Sequence, residues 1–226
     1  MNSFLVGLDL GQSSDYTALT IIERLHGSKP QAYDLRHIER FPLGTSYPDQ
    51  VARVKELVSR APLKHNATLV VDQTGVGRPV VDMLRQAGLP VTVVAIIIHG
   101  GDTVGEEKNQ FRVPKRDLVG SLQVLLQSKR LRVAEGLKEA AILVKELLNF
   151  KVNISVAGHD SYEAWREGVH DDMVLSTAMA CWYGERKPAF SATDFKLIRI
   201  KDKWSFSEND DDDDDDDYDY RPRRRW

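Results

Sequence analysis

Cysteine is nearly absent. The 226 residues contain one, Cys181, so neither a disulfide framework nor a cysteine-based zinc cluster can form within the chain. Long apolar runs are also missing. The longest, Leu89 to Ile98, falls well short of the about 20 residues that a membrane-spanning helix needs. The amino-terminal segment MNSFLVGLDLG lacks the charged and apolar regions of a secretory signal. These absences lead us to expect a reducing, cytoplasmic setting without membrane contact. The chain is well supplied with core material, because 42% of it is hydrophobic.

The net charge of −3 conceals an uneven distribution. Ten acidic residues crowd between Glu208 and Asp219, and Arg221, Arg223, Arg224 and Arg225 follow. Setting these aside leaves 27 basic and 24 acidic residues, a body near +3 that tolerates a polyanion without requiring one. The run Asp210 to Asp217 repels itself and is expected to be disordered. We therefore divide the chain into a domain over 1–190 and an extension over 191–226.

Periodicity places strands at 4–10, 16–25 and 32–41, joined by short turns, and predicts an antiparallel meander. Helical spacing follows over 48–60, then a buried strand over 67–71 that ends at Asp72. A helix over 75–87 is stopped by Gly88 and Pro90. The run 91–98 has no polar face and reads as a central strand. His99 to Gln110 is polar and glycine-containing, and reads as a mobile loop or a flap beside a cleft. Helices are expected over 115–128, 136–150 and 171–184, with a hairpin over 151–156 and 161–166. The fold class is α/β: a mixed β-sheet, an antiparallel meander of the first three strands and then parallel strands, flanked by helices.

Acidic residues fall at telling points of this layout. Asp9 lies inside the first apolar strand, Asp72 closes a later one, and Asp171 and Asp172 open the last helix after His170. Strand ends and helix starts meet at one edge of an α/β sheet. Carboxylates gathered there repel one another unless a cation offsets them, and hard oxygen ligands suit Mg²⁺ or Mn²⁺. Each residue also has a plainer use. Asp72 precedes a glycine turn, and an aspartate at a helix start commonly caps it. Capping accounts poorly for two adjacent aspartates, and Asp172 is the firmer ligand candidate of the pair. His170 reads as a surface or capping residue.

Gly7-Leu-Asp-Leu-Gly-Gln-Ser-Ser-Asp-Tyr-Thr-Ala-Leu19, Val70-Val-Asp-Gln-Thr-Gly-Val-Gly77 and His170-Asp-Asp-Met-Val-Leu-Ser-Thr-Ala-Met-Ala180 resemble, in that order, the three nuclease motifs of viral terminase large subunits. Phe111-Arg-Val-Pro-Lys-Arg-Asp-Leu118 has the same flavour, and the likeness runs over about residues 4–185. The resemblance implies an RNase H-like fold and two-metal phosphodiester hydrolysis of double-stranded DNA. Asp9 would bridge two Mg²⁺ or Mn²⁺ ions, Asp72 would hold one, and Asp171 and Asp172 the other. Asp15 matches a supporting position. Arg78, Arg112, Lys115 and Arg116 are candidates for DNA phosphates, although each also reads as part of a solvated face. The implied partners are a terminase ATPase, a small terminase subunit or a portal protein, and the implied setting is the host cytoplasm.

One departure is evident. The chain contains no Gly-x-x-x-x-Gly-Lys-Ser/Thr phosphate loop, so we expect an excised domain or a separate nuclease without its motor. Three other readings compete. A junction resolvase or RNase H-type nuclease would share the same carboxylates. A non-catalytic docking module would make use of the acidic tail. An actin-like ATPase also begins with a Gly-x-Asp-x-Gly strand like Gly7 to Gly11, but lacks a convincing second phosphate motif here.

Overall fold

Phe4, Val6 and Leu8 alternate with Leu5, Gly7 and Asp9 along the first strand. Because side chains alternate across a strand, the two sets must enter different layers. The computed structural model shows both layers. It describes residues 2–11, 15–75, 77–156 and 170–186, with the backbone alone over 150–156. All of these belong to the unit Met1–Ala189. Strands β1 (Ser3–Asp9), β2 (Ala18–Leu25) and β3 (Ala32–Arg40) form the expected antiparallel meander. Strands β4 (Ala67–Asp72), β5 (Thr92–His99) and β7 (Gln110–Pro114) extend it in parallel from β1. Two three-residue strands close the edges, β6 (Gly105–Glu107) antiparallel to β7 and β8 (Leu131–Val133) parallel to β3. The sheet order is β6-β7-β5-β4-β1-β2-β3-β8.

Helices α1 (Tyr47–Val58) and α2 (Gly77–Gln86) cover one face. Ser46 starts α1: its Oγ accepts from the Asp49 amide at 3.3 Å, and Pro48 follows within the first turn. Val51, Val54 and Val58 recur at helical spacing and pack with Phe4, Val6, Leu8, Val80 and Leu84. Burying such a side chain contributes about 1.5–3 kcal/mol relative to leaving it exposed. Helices α3 (Lys115–Gln127), α4 (Ala140–Val156) and α5 (Asp172–Arg186) cover the other face. Every residue of α5 from Asp172 to Trp182 is buried, so its apolar surface has no single stripe.

Glycine sets the separation between α5 and the sheet. A Cβ on Gly7 would stand 1.9 Å from the Ser176 carbonyl oxygen, and one on Gly184 would stand 2.6 Å from Leu5. Both glycines let α5 rest almost directly on β1.

Two expectations fail. The segment His99 to Gln110 is not wholly loop, because β6 and the start of β7 lie in it. Phe111 and Val113 bury into the core while Arg112 stays exposed, a period-two signal too short to stand out before Pro114. β6 is polar and gains its strand form by pairing with β7. Lys151 to Val156 belongs to α4, not to a hairpin. Its alternation imitates a strand, yet a helix already nucleated gains one hydrogen bond per added residue. The second half of that hairpin, 161–166, and the acidic run lie outside the described residues.

The close approach at Gly7 predicts a contrast between two substitutions. Gly7→Ala destabilises the protein by about 1–3 kcal/mol or more through overpacking. Gly120→Ala, inside α3 where a Cβ meets nothing within 4 Å, stabilises it by about 0.5–1 kcal/mol. Urea denaturation of both variants checks the pair, and equal effects would count against the contact.

Candidate active site

Leu8 of β1 lies opposite Val71 of β4 in parallel register, so Asp9 and Asp72 leave the sheet side by side at its carboxyl edge. Asp9 shares the parity of Leu5 and Gly7, and Asp72 that of Val70. Both therefore face the α5 layer. The contact of α5 with Gly7 brings the first turn of that helix to the same edge, where Asp171 and Asp172 stand. Three segments far apart in sequence thus deliver four carboxylates to one place.

Their electrostatics reflect that crowding. Asp9 is 8% exposed, and burial lifts its pKa well above the ordinary carboxylate range. The charges of Asp72, Asp171 and Asp172 push it further in the same direction, while Lys115 opposes them. Burial also raises Asp72, against hydrogen bonds with Thr74 and Asp9 and the charge of Lys115. The Thr74 amide donates to Asp72 Oδ1 at 2.7 Å, which fixes one oxygen of that carboxylate in the turn after β4. Asp172 is raised to about 6, chiefly by burial, with Arg40 pulling it down and Asp171 pushing it up. Lys115 Nζ lies 3.0 Å from Asp171 Oδ2.

The capping alternative for Asp171 and Asp172 can now be judged. The first-turn amides of α5, Met173 and Val174, donate to Glu146 Oε2 at 3.1 and 3.3 Å. Among the described residues neither aspartate side chain accepts from that turn. Asp171 contributes its backbone carbonyl, which accepts from the Leu175 amide at 2.8 Å. Glu146 of α4 thus does the capping and leaves both aspartate side chains for other work. Burial raises Glu146 to about 7, against the pull of Arg40.

The donor set suits a divalent cation by chemistry and charge. It offers hard carboxylate oxygens, burial resists the ionisation of Asp9, Asp72 and Asp172, and Asp172 Oδ2 is buried without a hydrogen bond among the described residues. No three acidic, histidine or cysteine side chains among the described residues already form a ligand cluster, so an ion would have to draw the carboxylates together.

The other candidates are placed as follows. Lys115 sits within the carboxylate group, beside Asp171. Arg116 is exposed and pairs with Asp102 and Asp117, and Arg78 and Arg112 are exposed on α2 and β7. None of these three arginines joins the carboxylates. Asp15 is exposed and its charge is felt at Asp172. His170 is exposed, with its ring edge-on to Tyr16 at 5.0 Å. Arg40 and Glu146 escaped sequence reasoning. The one available signal for Glu146 is a charge among Leu143, Leu147 and Leu148, and Arg40 gives none.

A mixed sheet led by an antiparallel meander, with carboxylates at the ends of β1 and β4 and at the start of the last described helix, defines an RNase H-like domain. The protein-family profile described as Terminase RNaseH-like domain matches residues 6–183. The chain belongs to that family, and with it to the RNase H-like nuclease superfamily. Among solved structures it is similar to the human cytomegalovirus terminase nuclease domain (10% identity, TM-score 0.48, covering 79% of this chain and 82% of that one). The P22 large terminase nuclease domain is similar at 13% identity and TM-score 0.48, with 82% and 87% covered. The fowlpox virus Holliday junction resolvase is similar at 13% identity and TM-score 0.42, with 80% and 97% covered. No curated protein matches. No helix among the described residues is long and apolar enough to cross a membrane.

A raised carboxylate pKa has a signed consequence for stability. Between the ordinary carboxylate range and the folded values of about 6 for Asp172 and about 7 for Glu146, the folded state holds more protons than the unfolded chain. Stability contributed by these groups is present at low pH and lost as pH rises through that window. In chelator, the protein should therefore melt lower near neutral pH than near about pH 5. Mn²⁺ should raise the melting temperature more at the higher pH. Asp9→Asn, which relieves the repulsion, should raise the chelated protein's melting temperature by about 2–4 °C, equivalent to about 1 kcal/mol. A lower melting temperature for Asp9→Asn would contradict the repulsion.

Proposed function

We propose that this chain is a divalent-cation-dependent endonuclease of double-stranded DNA, the nuclease of a viral genome-packaging terminase. The observation that carries the reading is the convergence of Asp9, Asp72, Asp171 and Asp172 on one sheet edge. Asp9 and Asp72, side by side at the ends of β1 and β4, would hold one ion. Asp9 also feels the charges of Asp171 and Asp172 and would share a second ion with them. Two bound Mg²⁺ or Mn²⁺ ions would lower the pKa of an attacking water and stabilise the departing 3′ oxygen.

The protein's part is to keep this charge in place. The Thr74 amide holds Asp72, the Gly7 contact fixes the start of α5, and Glu146 satisfies the amides that the aspartates would otherwise cap. Lys115 offsets Asp171 beside the carboxylates, and would be available to a DNA phosphate drawn to the site. Exposed Arg78, Arg112 and Arg116 would meet phosphates further along the duplex, contacts that fix position without reading sequence. The 226 residues contain no phosphate loop, so DNA translocation would come from a terminase ATPase. A small terminase subunit and a portal protein are the other partners of such an assembly.

Cleavage of a supercoiled plasmid in Mn²⁺, Mg²⁺ or EDTA tests the proposal. Wild type should cut in a divalent metal and not in EDTA. Asp9→Ala should cut more than about 10²-fold more slowly, since even residues supporting a metal ligand cost up to that much when removed. Cutting that survives Asp9→Ala would reject this site. A marked preference for four-way junctions or RNA–DNA hybrids over linear duplex would move the activity to a resolvase or an RNase H-type nuclease.

A further inference from the structure

Arg40 ends β3, a strand that carries none of the four carboxylates. Its guanidinium ion-pairs with Glu146 Oε1 and approaches Asp172 Oδ2 at 3.1 Å through the same nitrogen. Its guanidinium carbon also lies 4.5 Å from the centre of the Tyr16 ring. Glu146 is 5% exposed and its second oxygen is engaged by the Met173 and Val174 amides. The Arg40–Glu146 contact meets hydrogen-bond geometry. The approach to Asp172 does not, and Asp172 Oδ2 accepts no hydrogen bond among the described residues. One guanidinium is thus shared unequally, with Glu146 as its hydrogen-bonded partner and Asp172 as its electrostatic one.

We propose that Arg40, anchored by Glu146, is a positioning residue that sets how strongly Asp172 can bind a divalent cation. The inference rests on the metal-dependent reading of the site. Glu146 does two jobs with two oxygens. It fixes the first turn of α5, from which Asp172 projects, and it draws Arg40 away from full pairing with Asp172. A buried ion pair is weak evidence of a stability role, because apolar replacements often serve as well. Dividing one positive charge between two carboxylates is something apolar residues could not do.

The arrangement predicts effects of opposite sign. In Arg40→Gln the competing cation leaves Asp172, so Mn²⁺ binds more tightly, by about 10-fold from the lost charge repulsion, while plasmid turnover falls by about 10–100-fold as Asp172 loses its support. In Glu146→Gln the amide oxygen can still accept from α5, but Arg40 is released to Asp172, and Mn²⁺ binds about 10-fold more weakly. Arg40→Gln strands Glu146, so the double variant Arg40→Gln/Glu146→Gln, which removes both charges, serves as the folding control. It should bind Mn²⁺ as tightly as Arg40→Gln. Mn²⁺ affinity is read by calorimetric titration of the full chain, with melting temperatures alongside. Opposite shifts in the two single variants support the proposal. Shifts of the same sign, or none, in variants that still melt cooperatively overturn it while leaving the nuclease reading intact. A folded wild type that binds no Mn²⁺ overturns both.

Discussion

Helix α5 can rest on β1 because residue 7 has no side chain. With Ser176 carbonyl against Gly7 and Leu5 against Gly184, the helix axis is held at two points along one strand. Its first turn therefore arrives at the carboxyl edge of the sheet. If α5 were lifted by one methyl group, Asp172 would move away from Asp9 and Asp72, whose own neighbourhood is fixed by strand register. The carboxylate site is thus a consequence of backbone approach first and of side-chain chemistry second.

The same closeness sets the energetic problem of the molecule. Asp9 and Asp72 are driven toward protonation by burial, and Asp9 also by its neighbours. The chain answers with two side-chain cations at the rim, Lys115 by Asp171 and Arg40 between Glu146 and Asp172. These reduce the repulsion without removing it. Such uncompensated charge costs stability and is tolerated where function needs it. Glu146 completes the arrangement by taking over helix capping, which leaves the aspartates uncommitted.

How much of this was legible in the sequence depended on how local each signal was. The long apolar strands and the helices carrying regular valine and leucine spacing announced themselves. Asp9 stood out because a charge inside an apolar strand is rarely idle, and Asp72 because it closed one. The edge strands β6 and β8 were hidden, being three residues long and made by pairing with neighbours. The tail of α4 misled, because Lys151 to Val156 alternates like a strand while continuing a helix. Lys115 reads in the sequence as a candidate for DNA phosphate or as part of a solvated face, since nothing local reveals that α3 begins beside Asp171. Arg40 and Glu146 were invisible for the same reason: Arg40 meets Asp172 across 132 positions of chain and Glu146 meets the Met173 amide across 27, and only the folded chain brings them together.

The central claim is that these four aspartates form one cation site. Anomalous diffraction from crystals of the protein soaked in Mn²⁺ tests it most directly. The account predicts Mn²⁺ peaks at the carboxyl edge of β1 and β4, ligated by Asp9 together with Asp72 and with Asp171 or Asp172. Saturating Mn²⁺ that leaves those carboxylates unligated, or binds only elsewhere on the protein, would contradict it.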